Sequence, residues 1–325
     1  MKVSLQAFMA NLIDYAGLFP PTSLPLDEAI RNYAVYRSEK DAWMLGPFII
    51  PISQLEKLAP YVSLFSRELP LSLSVIGRKS AKEDDWQRGL QEDLALVEAF
   101  RQRHGDCVKI GTLEQLLPPI ELEQELLEAF ATETARHNLN TFCELAAPLD
   151  VDWEVNLLKT LDCIAAHNEQ HNSQLGFKLR TGGVSAEMFP LPAQVASAII
   201  GCRDRGIAMK FTAGLHHPIR MYRDEVGTRM HGFLNVFTAG MAAYVHHLDV
   251  VETTQILADE DPNHFSFTTE ALSWRDLVVK ASAIEEVREK LLCSYGCCSF
   301  DEPRQDLKEL GILYTEDDLS EKVFY

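Results

Sequence analysis

Two short stretches decide the fold: Leu175-Gly-Phe-Lys-Leu-Arg-Thr-Gly-Gly183 and Ile207-Ala-Met-Lys-Phe-Thr-Ala-Gly-Leu-His-His-Pro-Ile-Arg220. Each reads as a strand of about six residues with a lysine mid-run and a glycine at its end. Between them, Pro190 to Arg205 has the apolar spacing of one helix, so the two strands are expected as parallel neighbours in a βαβ unit. Residues i and i+2 of a strand share a face. Lys178 and Arg180 therefore point opposite to Phe177 and Leu179, and Lys210 and Thr212 opposite to Met209 and Phe211. With the apolar pairs under the helices, three cations converge where a sheet is normally buried. Such a placement is costly unless it serves a site.

Outward from this unit, the same alternation recurs. Strands are expected at Ala10–Tyr15, Ala42–Pro51, Leu71–Ile76, Cys107–Ile110 and Thr141–Leu145 before the two lysine strands, and at His264–Phe267 after them. Helices are expected at Leu26–Arg37, Ser53–Ser66, Lys82–Arg103, Glu121–Arg136, Trp153–Asn168, Met230–His247 and Trp274–Leu291. Eight strand-then-helix units without a linker imply an α/β fold, a (β/α)8 TIM barrel, over residues 1–292. Residues 293–325 read as a polar C-terminal tail on or near the barrel. No GxGxxG and no Walker loop argues for a doubly wound open sheet instead.

The 325 residues carry a formal net charge of −18, which speaks against general nucleic-acid binding. Seven cysteines scattered without a CxxC spacing suit a reducing compartment rather than a disulfide framework or zinc ribbon. The amino-terminal residues lack the apolar core of a signal peptide, and no run approaches the ~20 apolar residues of a membrane span. A cytoplasmic protein is expected. Its partner is a small anionic metabolite rather than a nucleic acid or a membrane, with a homo-oligomer compatible with the composition.

In a barrel the site lies at the C-terminal ends of the strands. Those ends supply Asp14, Glu144, Lys178, Arg180, Thr181, Lys210 and Thr212. The loop after the seventh strand adds His216, His217 and Arg220, and the next helix adds His231 and Asn235, four apart on one face. An acid inside an apolar strand, such as Glu144 in Phe142-Cys-Glu-Leu145, is rarely buried without a partner. A lysine beside other cations loses its proton more easily. It then attacks a carbonyl to form a Schiff base, an electron sink for C–C chemistry. Lys178 is the expected nucleophile, Lys210 the neighbour that lowers its pKa, Arg180 the anion clamp, and Glu144 or Asp14 the acid/base.

These motifs resemble the class I aldolases of the deoxyribose-phosphate aldolase type. The matching residues are Lys178 in Phe-Lys-Leu-Arg-Thr-Gly-Gly, Lys210 in Met-Lys-Phe-Thr-Ala-Gly and Asp14 in Leu-Ile-Asp-Tyr. The resemblance implies a (β/α)8 barrel with a Schiff-base lysine on the sixth strand, a second lysine on the seventh, and no cofactor or metal. The chain departs from that pattern in three places. The expected fourth strand, Cys107-Val-Lys-Ile110, has no acid where the family keeps a proton-relay aspartate. Leu215-His-His-Pro218 follows Gly214 in place of a second glycine. Arg180 replaces a small polar residue, which makes a carboxylate substrate as fitting as a phosphate ester.

Two other readings compete with the aldolase-like lyase. A divalent-metal-dependent hydrolase or lyase would use Glu144, His216 or His217, and His231. A barrel that binds an anionic metabolite without turnover needs only the cationic pocket.

Overall fold

The computed structural model describes residues 2–80, 82–118, 124–145 and 147–313. The described strands are β1 (Ile13–Tyr15), β2 (Leu45–Pro51), β3 (Leu71–Ile76), β4 (Val108–Leu116), β5 (Asn140–Glu144), β6 (Gly176–Arg180) and β7 (Met209–Thr212). A small hairpin follows, β8 (Met221–Arg223) and β9 (Thr228–Met230). Next come β10 (Phe265–Phe267), β11 (Ala271–Trp274) and β12 (Leu277–Lys280), and last β13 (Leu292–Cys297). Eight of these close into a parallel barrel in the order β1-β13-β7-β6-β5-β4-β3-β2. The chain is a (β/α)8 TIM barrel.

The two lysine strands are neighbours, with Lys178 opposite Lys210 and Arg180 opposite Thr212 in register. Phe177, Leu179, Met209 and Phe211, on the opposite face, are buried in the apolar core. The helix between these strands runs Pro192–Asp204, with proline at its first position, where a missing N–H costs nothing. The helix Glu83–His104 opens on three acids and closes on Arg101, Arg103 and His104, so both ends complement its dipole.

Three expectations need correction. The segment around His264–Phe267 is not the eighth barrel strand. It is β10, paired antiparallel with β11, which pairs antiparallel with β12 in a separate three-stranded sheet. Three residues separate β10 from β11, far too few for the crossover that parallel strands need. The expected helix from Trp274 was missed as a hairpin because its turn is Arg275-Asp276, with Arg275 at φ 49°, and not a glycine-bearing turn. A helix does follow, over Ala281–Lys290.

The barrel is closed instead by β13, inside what reads from sequence as tail, so the barrel extends through Cys297. Gly296 looks like a stop but faces the bore. A Cβ there would lie 2.9 Å from Ile49 Cδ1, so the glycine leaves room for a β2 side chain that reaches across the bore past β1. Beyond it, the helix Asp301–Glu309 packs on the barrel. Leu307 and Leu313 are buried, and the Arg304 guanidinium stacks 4.2 Å from the Phe300 ring. The expected tail beyond 313, and the start of the helix expected at Glu121, lie outside the described residues.

The third correction concerns β4, which does not end at Ile110. The β3–β4 register runs Leu73 opposite Ile110 and then Ser74 opposite Thr112, so Gly111 is an extra residue in a β-bulge. The strand continues for six residues past Ile110, and the shift in phase turns Glu114 inward.

Removing β13 leaves the facing edges of β1 and β7 unpaired. A chain ending at Leu291 is expected to lose its cooperative urea transition and its near-UV circular dichroism, whereas a chain ending at Leu313 keeps both.

Candidate functional site

Register and alternation assign the inner face of the barrel. Ile49 and Ser74 are partners, as are Ile76 and Glu114, Glu114 and Phe142, Glu144 and Lys178, Lys178 and Lys210, Thr212 and Gly296, and Gly296 and Asp14. Barrel interiors are ordinarily filled by branched apolar side chains. Here the bore holds five ionisable groups in an unbroken line.

Glu114 stands at the centre of that line and is 1% exposed. Its Oε2 lies 2.7 Å from Lys178 Nζ and its Oε1 lies 2.6 Å from Lys210 Nζ. Lys178 Nζ also lies 2.7 Å from Glu144 Oε2, and Lys210 Nζ lies 2.5 Å from Asp14 Oδ2. The sequence Asp14–Lys210–Glu114–Lys178–Glu144 therefore alternates in charge along its whole length. Two hydroxyls complete it: Ser74 donates to Glu114 Oε1 at 2.7 Å, and Ser294 donates to Asp14 Oδ2 at 2.7 Å. Gly46 makes space for the end of the line, since a Cβ there would sit 2.0 Å from Asp14 Oδ1.

The electrostatics follow from burial set against partners. Burial pushes the Glu114 carboxyl up, but the two flanking ammoniums outweigh it and hold the group well below the usual carboxylate range. Burial pushes both lysines down, but Lys178 is raised overall by Glu114 and Glu144, and Lys210 by Asp14 and Glu114. For Asp14 burial wins over Lys210 and Ser294, so its carboxyl is raised. Asp14 and Lys210 are thus both raised, though they share one contact. Lys210 keeps its proton because Glu114 supports it from the other side, while Asp14 takes up a proton more readily than an ordinary aspartate. Three carboxylates face two ammoniums, so protonating Asp14 makes the line neutral.

This arrangement corrects the expected relation between the lysines. They do not strip charge from one another, because Glu114 lies between them and both are held protonated. Glu114 was missed because Gly111 reads as a strand end. The signal was present as alternation from Thr112 through Glu114 to Leu116. It also supplies an inward acid on the fourth strand, where the sequence had suggested none.

The other expected site residues are placed as follows. Arg180 has its side chain 46% exposed and its guanidinium 3.5 Å from Glu144 Oε1, at the edge of the line. Thr212 faces the bore by register with Gly296. Thr181 is buried and donates to the backbone carbonyls of Thr212 and Ala213, clasping the ends of β6 and β7. Arg220 pairs with Glu260, while Asn235 donates to the carbonyls of Ile256 and Asp259 and accepts from the Arg220 amide. His231 Nε2 lies 2.7 Å from the Pro190 carbonyl oxygen, and burial holds the imidazole down at about 4. His216 and His217 meet the C-terminal segment: His216 lies beside Cys297, Cys298 and Glu302, and His217 lies 2.6 Å from Asp306. The histidines expected as metal ligands therefore do not gather around Glu144. Among the described residues no group of three or more His, Cys, Asp or Glu side chains is arranged to hold a metal ion.

Two cavities touch the line. One of about 250 Å³ lies beside the C-terminal ends of β5 and β6, lined by Leu145, Leu149, Trp153, Lys178, Arg180 and Met188 among others. The second, about 700 Å³, opens at the opposite mouth and includes Asp14, Asn140, Lys210 and Ser294. In barrel enzymes the C-terminal mouth is the one that carries the chemistry.

No protein-family model and no curated protein matches the chain. Among solved structures it is similar to the carboxyl transferase domain of pyruvate carboxylase from Rhizobium etli, with 13% identity and a TM-score of 0.29. That match covers 95% of this chain and 55% of the other, so the chain spans about half the length of the structure it resembles. No helix among the described residues is long and apolar enough to cross a membrane.

Replacing Glu114 by glutamine removes the shared anion and leaves two buried ammoniums short of a partner. Losing one member of a buried ion pair costs about 3–5 kcal/mol, so E114Q is expected to lose that much in urea unfolding at pH 7. The sign of the pH dependence follows from the shifts. The depressed carboxyl contributes stability above its unfolded pKa of about 4.3, and this is lost as pH falls through the folded value. The raised lysines contribute below their unfolded pKa of about 10.4, and this is lost as pH rises through the folded values. The deficit of E114Q should therefore narrow towards both extremes of pH. Equal stability of variant and wild type at pH 7 would contradict the alternating line.

Proposed function

We propose that this chain is a class I aldolase or related lyase that forms a Schiff base through Lys178 with a small carbonyl compound bearing a carboxylate or phosphate. The observation that carries the reading is the position of Lys178 Nζ, 2.7 Å from both Glu114 and Glu144 inside a barrel bore. The three groups divide the work of making and using an iminium.

A protonated lysine is no nucleophile, so Lys178 must first give up a proton. Glu114 is a poor acceptor because two ammoniums hold it ionised. Glu144 touches one ammonium, lies at the edge of the line beside Arg180, and is the acceptor in this reading. The freed amine adds to the substrate carbonyl carbon. Protonated Glu144 then returns its proton to the hydroxyl, which leaves as water. Glu144, ionised again, takes the proton of the substrate's β-hydroxyl as the C–C bond breaks, so that one fragment leaves as an aldehyde and the iminium accepts the electron pair to become an enamine. The proton then returns to the enamine carbon, and hydrolysis releases the second product and regenerates the amine.

Lys210 keeps its charge throughout. It holds Glu114 ionised and in place, which fixes Lys178, and so acts as a positioning residue. Arg180, half-exposed at the end of β6, supplies the two-pronged cation that suits a carboxylate or a phosphate.

The test is reduction with borohydride in the presence of small 2-oxoacids, short aldehydes and sugar phosphates, followed by peptide mass mapping. A stable adduct on Lys178 is expected, absent in Lys178→Arg, and forming faster as pH rises because the amine must be freed. E144Q should slow adduct formation on the order of 100-fold, the ordinary scale of general acid–base help. Trapping on neither lysine with any of these carbonyl compounds would remove the Schiff-base reading.

A further inference from the structure

A second cluster of reactive side chains lies outside the line of charges, where the end of β13 meets the loop after β7 and the terminal helix. Its centre is the Cys298 sulfur. Thr22 Oγ1 donates to it at 2.9 Å, and His216 Nδ1 lies 3.5 Å away. The same ring nitrogen is 3.8 Å from Cys297 Sγ and 3.5 Å from Glu302 Oε2. Tyr15, His217, Cys297 and Glu302 are the other titratable groups around it.

We propose that Cys298 is a second reactive centre, a thiolate held by His216 and Thr22 that attacks small hydroperoxides. The contrast with the chain's other buried cysteines decides between a reactive and a packing role. Cys143 and Cys202 are buried with no ring nitrogen or hydroxyl on the sulfur, and burial alone pushes the Cys143 thiol up to about 12. Burial acts on Cys298 too, yet the imidazole and the threonine hydroxyl bring its thiol below the ordinary value. Cys297, on the same imidazole, stays above it, so the anion rests on Cys298. Burial disfavours a charged His216, but its bonds to both cysteines and Glu302 raise it to about 12. The imidazolium is then flanked by the thiolate and the Glu302 carboxylate.

Cys298 is only 5% exposed, which restricts the proposed reagent to one as small as a hydroperoxide. In the step proposed, the sulfur attacks the terminal oxygen of the hydroperoxide. An S–O bond forms and the O–O bond breaks, the sulfur is oxidised from thiolate to sulfenic acid, and the peroxide takes the two electrons. The departing alkoxide, or hydroxide from hydrogen peroxide, takes its proton from the His216 imidazolium and leaves as alcohol or water. Lys178 has no part in this, so the outcome is independent of the Schiff-base reading.

The test is exposure of the full chain to hydrogen peroxide at pH 6 with dimedone present to capture sulfenic acid, followed by peptide mapping. The dimedone adduct is expected on Cys298 at least ~10-fold faster than on the more exposed Cys107, since only the thiolate reacts. The rate at Cys298 should fall less from pH 8 down to pH 6 than the rate at Cys107 does, because His216 and the Thr22 hydroxyl hold the Cys298 sulfur as its thiolate. H216Q should reduce the rate at pH 6 at least ~10-fold and restore the ordinary rise towards alkaline pH. Preferential reaction at Cys107, or a rate at Cys298 that falls with pH as steeply as that at Cys107 in the wild-type chain, overturns the proposal without recourse to any variant.

Discussion

One carboxylate between two ammoniums sets the terms for the rest of this barrel. Glu114 is almost wholly removed from water, and so are the lysines on either side of it. None of the three is tolerable there alone, because each buried charge costs several kcal/mol in lost hydration. Alternation of sign along five groups is what makes the placement possible. It also ties the fold together, since Asp14, Ser74, Glu114, Glu144, Lys178, Lys210 and Ser294 come from seven of the eight barrel strands. A slip of one residue in any of these strands would turn its polar group out under the helices and an apolar one into the bore. Register is thus specified by charge in the interior as well as by hydrophobic contact outside it.

The architecture was legible wherever a strand kept an uninterrupted alternation. The lysine strands were readable down to the facing of Lys178 and Lys210, because Phe177, Leu179, Met209 and Phe211 mark the other face unambiguously. Glycine was what misled. Gly111 sits in a bulge and Gly296 clears space in the bore, yet in sequence both look like chain breaks. The consequences were large, because one concealed Glu114 and the other concealed the closing strand. His231 and Asn235 satisfy backbone groups across loops, and nothing in local spacing separates that duty from ligand binding.

The line of charges has a chemical corollary. Its members are strongly coupled, so no one of them changes protonation without altering the others. With three carboxylates against two ammoniums, the line carries one excess anion, and burial raises the carboxyl of Asp14, at the end opposite Glu144. A proton gained at one end and a proton lost at the other are linked through Lys210, Glu114 and Lys178. Protonation at the C-terminal end of the line is therefore coupled to a carboxyl group near the opposite mouth, with no direct contact between them.

The last barrel strand is also the last part of the barrel to leave the ribosome. Between Thr212 and Leu292 lie a hairpin, three α-helices and a separate three-stranded sheet, none of which fills the gap between β1 and β7. At translation rates of ~5–20 residues per second, those roughly eighty residues keep seven strands waiting, with two raw edges, for several seconds. The nascent chain must spend that interval as an open, partly charged trough, and the cell's folding helpers have their longest opportunity to engage it there.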